Sequence, residues 1–319
     1  MKLKIVLIIV FSILFFISSD SDLPVSSFGE VWVYMVVGRE ASFSPAYPIT
    51  DIAYFGTEVN IQGRLIGVPD FNRIRNMPGR KHLVASCTGQ AVSYFALLEG
   101  RPEREALIRD LIAAAQPYDG LQINFESVPA VSRNAYLSFL RELRAGLGNR
   151  MLTVALAART RTIANDVYDY AAILPIVDRI LVMAYDEHWS GGSPGPIASM
   201  EWSERVARYS LDTIGRDKLI IGMPFYGRRW GSITPNMAFI HSGIMDIIRD
   251  ENITDIQRLN GIPNFRYVAP VTMTVFYEDE RSLALRMNIY RNMGVDKVGF
   301  WRLGQETQAF WSYIRINSP

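Results

Sequence analysis

Eight apolar runs rich in β-branched and aromatic residues recur along this chain, at residues 31–37, 51–55, 82–86, 121–126, 152–157, 179–185, 218–223 and 297–301. Amphipathic patterns fill several of the intervals. Residues 103–115 carry Leu107, Ile108, Leu111 and Ile112 at helical spacing, and residues 136–147 carry Tyr136, Phe139, Leu140, Leu143 and Leu147. Residues 206–214 and 283–293 behave alike. Strand–helix alternation predicts a parallel α/β sheet, because parallel neighbours need a crossover between them. Eight such strands, apolar enough to be covered on both sides, predict closure into a (β/α)8 TIM barrel. No helix is visible between Val37 and Asp51, where Pro45 and Pro48 predict a loop. The interval between the seventh and eighth strands is too long for one crossover helix. Residues 231–277 are expected to be a small insertion on the upper rim, part helix and part extended.

Composition narrows the possibilities. Of 319 residues, 49% are apolar, enough for a substantial core, and no repeat or linker divides the chain. A single barrel domain over residues 28–319 is the expectation. A net charge of +1 gives no electrostatic case for nucleic acid or an anionic membrane surface. Lys2 and Lys4 precede an apolar run over residues 5–17 and then Ser18, Ser19, Asp20 and Ser21. That run is short for a membrane span, which needs roughly 20 residues. It fits a secretory signal at residues 1–21, with export to the envelope, the periplasm or the medium; an uncleaved anchor is the alternative. Cys87 is the one cysteine, so no intramolecular disulfide forms, and its place at the end of an apolar run predicts a buried small hydrophobe. His82, His188 and His241 have no metal-ligand spacing, and no nucleotide or phosphate fingerprint is present. Neither metal nor cofactor is expected.

The fourth strand carries the strongest chemical signal. Asp119-Gly120-Leu121-Gln122-Ile123-Asn124-Phe125-Glu126 alternates, with Leu121, Ile123 and Phe125 on one face and Gln122, Asn124 and Glu126 on the other. In a barrel the apolar face meets the helices and the polar face looks inward. Glu126 then stands at the C-terminal strand end, where barrel enzymes place their chemistry. Other predicted strands end in similar company: Met183-Ala184-Tyr185-Asp186 with Trp189, then Tyr226-Gly227 with Trp230, then Trp301. Carboxylates beside flat aromatic faces suit acid catalysis on sugar rings.

These four ordered motifs resemble glycoside hydrolase family 18, the chitinases and related enzymes that cut beside N-acetylglucosamine, and the resemblance runs from Val31 to about Phe310. Asp119 to Glu126 is similar to the family's Asp-Gly-x-Asp-x-Asp-x-Glu, and Met183 to Asp186 to its Met-x-Tyr-Asp. The Tyr185–Trp189 segment followed by Pro194-Gly195-Pro196-Ile197-Ala198 is similar to bacterial spore-germination and peptidoglycan-acting members. The resemblance implies Glu126 as acid and then base, with the substrate's own acetamido oxygen as nucleophile and retention at the anomeric carbon. It implies that Tyr185 and Asp186 hold the acetamido sugar and that Trp301 lies beneath it. Asp119, Gln122, Met183, Tyr226, Trp189 and Trp230 complete the expected substrate-binding set. For Tyr226, Trp189 and Trp230, packing of the upper loops is the competing role, and for Gln122 it is interior hydrogen bonding. The expected partner is a β-linked N-acetylglucosamine glycan, chitin-like or peptidoglycan, met by a monomer.

The chain departs from the family pattern at two places. Asn124 stands where the family has its last Asp, and Gln122 where it has the middle one. An amide oxygen still accepts a hydrogen bond but brings no negative charge to a cationic intermediate. Two readings follow: a glycosidase slowed by Asn124, or a chitinase-like protein kept for carbohydrate binding.

Overall fold

The computed structural model describes residues 23–231 and 236–317; the expected export signal at residues 1–21 lies outside them. A short strand β1 (Ser26–Phe28) leads into β2 (Glu30–Val36) and β3 (Asp51–Val59), whose upper end pairs with β4 (Leu65–Ile66). There follow β5 (Arg80–Cys87), β6 (Gly120–Phe125), β7 (Met151–Ala157), β8 (Arg179–Met183) and β9 (Leu219–Pro224). An antiparallel group comes next: β10 (Tyr226–Gly231), β11 (Met237–Ile240), β12 (Gln257–Leu259), β13 (Ile262–Val268) and β14 (Thr272–Phe276). The chain ends with β15 (Lys297–Trp301) and β16 (Ile314–Ile316), which pairs with β1. Strands β2, β3, β5, β6, β7, β8, β9 and β15 pair in parallel around a full circle, closed by β15 against β2. The expected (β/α)8 barrel is therefore the fold.

The period of two divides each strand. Outward residues such as Val31, Ile52, Leu83, Leu121, Ile123, Leu152, Ile180, Ile221 and Val298 are buried in the main core against the helices. Inward residues are a mixed set: Trp32, Tyr34, Ala53, Val84, Ala155, Leu181 and Ile220 form a separate apolar plug inside the barrel. Below that plug sits an ionic layer. Asp51 accepts from Arg80 at 2.8 Å and faces His82 Nε2 at 2.8 Å, while Arg179 reaches Glu30 at 2.7 Å. The His82 ring stacks on Trp32 with centroids 4.2 Å apart. Gly120 belongs to this crowding: a Cβ there would come within 2.6 Å of His82 Nδ1.

The helices α1 (Gln90–Leu97) and α2 (Pro102–Ala114) follow β5, α3 (Arg133–Gly146) follows β6, and a single turn α4 (Tyr170–Ile173) follows β7. Then α5 (Met200–Ile214) follows β8, α6 (His241–Asp250) lies among the antiparallel strands, and α7 (Glu280–Asn292) precedes β15. The connections after β2 and β3 hold 3-10 turns at Glu40–Ser42 and Phe71–Arg73 in place of α-helices, which agrees with the loop expected after the first strand. The helix α5 starts at the Ser199 cap and α7 at a capping box made by Asp279 and Ser282.

The antiparallel strands form one sheet in the order β11-β10-β14-β13-β12. It starts with β10 at Tyr226, ahead of residue 231, because Tyr226 to Arg229 already pair with β11. Gly227 is required there: a Cβ would lie 2.4 Å from both Ile244 and Tyr277. Its inner side, Tyr226, Trp230, Ile262 and Phe276, packs with Ile197 and Met200 above the barrel mouth. Among the described residues no helix is long and apolar enough to cross a membrane.

Candidate active site

Glu126 is the first residue past β6, and a set of hydrogen bonds fixes the turn that carries it. Its N–H donates to Cys87 O at 3.0 Å. The buried Tyr168 hydroxyl donates to Phe125 O at 2.6 Å and accepts from Val128 N at 2.9 Å. Ser93 of α1 donates to Ser127 O at 2.8 Å. The carboxylate itself is exposed to a cleft of about 460 Å3, a size suited to a small ligand or a few sugar rings. Asn124, Met183, Tyr185, Asp186, Tyr226 and Trp301 line the same cleft, joined by Tyr34, Ala157, Ala158 and Trp202.

Asn124 is 3% exposed, and its Nδ2 donates to Glu126 Oε1 at 3.0 Å. Its Oδ1 is buried with no partner among the described residues. A buried amide oxygen left unpaired costs about 1–3 kcal/mol. Asp186 has a φ of +60°, a left-handed conformation that Asp tolerates better than most residues. Its Oδ1 accepts from the Tyr226 hydroxyl at 2.6 Å and from Arg228 at 2.8 Å. Burial, followed by the nearby Tyr34, Tyr226, Glu126 and Asp186, pushes the Tyr185 hydroxyl far above the usual phenol range. Burial and Asp186 do the same to Tyr226, and burial and Glu126 to Tyr34. All three phenols therefore stay protonated, and Tyr34 and Tyr226 donate to Gln122 and Asp186.

Trp301 stands at the end of β15 with its ring 5.1 Å from those of both Tyr34 and Phe55. It is half-buried, packed against both the plug inside the barrel and the inner side of the antiparallel sheet, and it lines the cleft. Beyond β8, residues 185–199 fold back on themselves: Glu187 N–H donates to Ile197 O at 2.9 Å, and Ser199 N–H to Glu187 at 2.6 Å. This return brings Trp202, in the first turn of α5, to the cleft wall.

Four expected substrate contacts lie elsewhere. Asp119 is at the foot of β6, where its carboxylate accepts from Lys81 N at 2.7 Å. The length of the strand separates it from Phe125, roughly 20 Å of rise, so it starts the strand and does not touch the cleft. Gln122 is fully buried below Asn124, accepting from the Tyr34 hydroxyl at 2.5 Å and donating to Thr153 at 3.2 Å, the interior role. Trp230 is 3% exposed, packed behind Tyr226, and donates to Trp189 O at 3.3 Å. Trp189 is 58% exposed and outside the cleft lining. Burial pushes the Cys87 thiol up to about 11, leaving it an unreactive core residue. Among the described residues no group of three or more His, Cys, Asp or Glu side chains is placed to hold a metal.

Sequence comparison joins this geometry. The profile of glycosyl hydrolases family 18 matches residues 47–306. YdhD of Bacillus subtilis (strain 168), whose name marks it as a sporulation-specific glycosylase, is 32% identical over 211 residues, covering 61% of this chain and 49% of that protein. The cortical fragment-lytic enzyme of the same organism is 25% identical over 238 residues, covering 67% and 54%. The chain thus spans about half the length of these relatives. The crystal structure of the spore cortex-lytic enzyme SleL of Bacillus cereus superimposes with a TM-score of 0.81 at 22% identity, over 92% of this chain and 76% of SleL, a likeness of fold. With the family profile spanning most of the chain and its strand-end motifs gathered in one cleft, the chain belongs to the glycosyl hydrolases of family 18.

Proposed function

We propose that this chain is an exported glycosidase that cuts β-linked N-acetylglucosamine-containing glycans by a substrate-assisted, retaining mechanism. One observation carries the reading: Glu126, Asn124, Tyr185, Asp186 and Trp301 line one cleft at the C-terminal end of the barrel. The acetamido sugar would lie against Trp301 where it lines the cleft. Glu126 would protonate the glycosidic oxygen as the carbon–oxygen bond breaks, while the acetamido oxygen attacks the anomeric carbon to form an oxazolinium ion. Tyr185, a firm donor, would hold that oxygen. The unpaired Asn124 Oδ1 would accept the acetamido N–H. Since Asn124 Nδ2 donates to Glu126 Oε1, the transferable proton belongs on Oε2. Glu126, now ionised, would next take a proton from the water that opens the oxazolinium, restoring the original anomer. Export is supported by the basic and apolar N-terminus and by the cortex-directed names of the relatives.

NMR of the first product released from a chito-oligosaccharide tests this reading: the β-anomer is expected, whereas the α-anomer or absence of cleavage of both chito-oligosaccharides and peptidoglycan overturns it. A second reading, a sugar-binding protein with weakened chemistry, is favoured by one feature: Asn124 places an N–H on the catalytic carboxylate and no negative charge beside the intermediate.

A further inference from the structure

The barrel strands run in the order β2, β3, β5, β6, β7, β8, β9, β15 before the circle closes. Strands β6 and β15 are equally far apart in either direction, so Glu126 and Trp301 stand on opposite sides of the mouth. Two arcs of strands join them, and the cleft draws on the two unequally. Ala157, Ala158, Tyr185 and Trp202 come from the end of β7, the end of β8 and the first turn of α5. From β2, β3 and β5 only Tyr34 contributes among the described residues. The cleft therefore extends from the line between Glu126 and Trp301 toward β7 and β8.

That extension has a chemical direction. In the mechanism proposed above, Glu126 reaches the glycosidic oxygen and Tyr185 holds the acetamido group. The carbon bearing the acetamido group is the neighbour of the anomeric carbon, so the reacting edge of the sugar turns to the arc between β6 and β8. Strand β7 lies in the middle of that arc, and the group that departs from the anomeric carbon leaves over its end. The lining there is small and apolar. Ala157 and Ala158 border the cleft, while the next residue, Arg159, is drawn off by Asp166 at 2.6 and 3.1 Å, and neither member of that pair lines the cleft. The remaining wall is Trp202, half-buried and packed on the main core. Its N–H donates to Ser199 Oγ at 3.3 Å. The segment before it is held by Ser199 N–H donating to Glu187 and by the fully buried Arg286 donating to Ala198 O at 2.6 Å. The turn that carries the indole is thus fixed before a ligand arrives, which lowers the entropy cost of using it.

We propose that Trp202, with Ala157 and Ala158, seats the sugar that leaves, so that Trp202 selects the leaving group. A pyranose presents a flat apolar C–H face that matches an indole, whereas a small leaving group presents none. Contact with this remote sugar assists the step at the anomeric carbon, because a leaving group without it forfeits binding energy available in the transition state. The inference rests on the glycosidase reading and names the residue that decides what departs.

The test uses the tetrasaccharide that wild type cuts, from chitin or from peptidoglycan, and the β-fluoride of the disaccharide that it donates. Both give the same oxazolinium ion, but fluoride offers no apolar face to Trp202. In W202A the tetrasaccharide-to-fluoride ratio of kcat/KM should fall about tenfold, and W202F, which keeps a flat ring, should hold most of the wild-type ratio. An unchanged ratio in W202A, or an equal fall on both substrates, overturns the inference and leaves the glycosidase reading standing. Urea denaturation shows whether W202A folds; if it does not, W202M, which fills the place without a ring, is read by the same ratio. If wild type releases fluoride but cuts neither tetrasaccharide, the inference alone fails. If it does neither, the glycosidase reading fails and the inference falls with it.

Discussion

Replacing Asn124 by Asp puts a second carboxyl about where Nδ2 now meets Glu126 Oε1, 3.0 Å away. At an effective dielectric of 20, two unit negative charges at that separation repel by roughly 5 kcal/mol. One of the two carboxyls in the variant therefore keeps a proton, and the pair titrates in two steps spread over a wide pH range. Once that proton passes to the leaving oxygen, the introduced carboxylate remains as an anion against the oxazolinium. Charge stabilisation of this kind in a desolvated site is worth about 3 kcal/mol, roughly a hundredfold in rate. Steady-state kinetics of N124D on a defined chito-oligosaccharide, across pH, should show kcat up by at least about tenfold, with a broadened pH profile and little change in sugar affinity. Urea denaturation checks that the buried substitution has not loosened the barrel. A folded N124D with kcat and pH profile equal to wild type would refute the placement of Asn124 beside the developing charge. A large gain with unchanged affinity would show that the natural protein is chemically slowed by this residue.

Three further outcomes follow from the same contacts. Trp301→Ala removes the platform face and its packing on Tyr34 and Phe55, and KM should rise up to about tenfold with a smaller change in kcat; a fall in kcat with KM unchanged would count against the platform role. Arg286 and Glu278 form a fully buried pair at 2.8 Å, and Arg286 also donates to Ala198 O at 2.6 Å. R286M should cost about 3–5 kcal/mol in urea unfolding by stranding Glu278, and E278L/R286M should recover most of it; equal stability of both variants would contradict this. Glu40 is held at about 2: burial raises it, but hydrogen bonds from the Tyr54 hydroxyl, backbone N–H groups and Arg73 outweigh that. Asp51 is held low in the same way, burial being outweighed by His82 and Arg80. Both folded values lie below the unfolded ones, roughly 4, so their stabilisation is intact above that pH and is lost as pH falls toward 2. A denaturation midpoint that stays flat between pH 5 and 2, taken as approximate bounds of that window, would contradict the assignment.

The barrel was legible because its strands are buried on both sides. Residues such as Leu121, Ile123 and Phe125 had to be apolar to meet the helices, while the inward Gln122 and Asn124 revealed an interior that tolerates hydrogen-bonded polar groups. Helix α1 left no clean period, since Ser93 is buried and Phe95 exposed, and α4 is a single turn, too short for any period. Glu126, Tyr185, Asp186 and Trp301 were legible as strand-end motifs. Asp119 was misplaced because one motif spans a whole strand, and a strand has two ends about 20 Å apart. Tyr34 reads in the sequence as one more core aromatic of β2. Trp202 reaches the cleft only through the fold-back of residues 185–199, and Arg228, outside the cleft lining, meets Asp186 only because β10 crosses the barrel mouth. Contacts of that kind depend on backbone return, which no local pattern encodes.

The central claim is that Glu126 is the proton donor of this cleft. Measuring kcat/KM of wild type and Glu126→Gln on one N-acetylglucosamine oligosaccharide tests it most directly. Gln keeps the size and the cleft position but cannot give or take the proton, so a loss of about 10²–10⁴-fold with retained sugar binding is predicted. A folded E126Q that cuts at the wild-type rate would contradict the account.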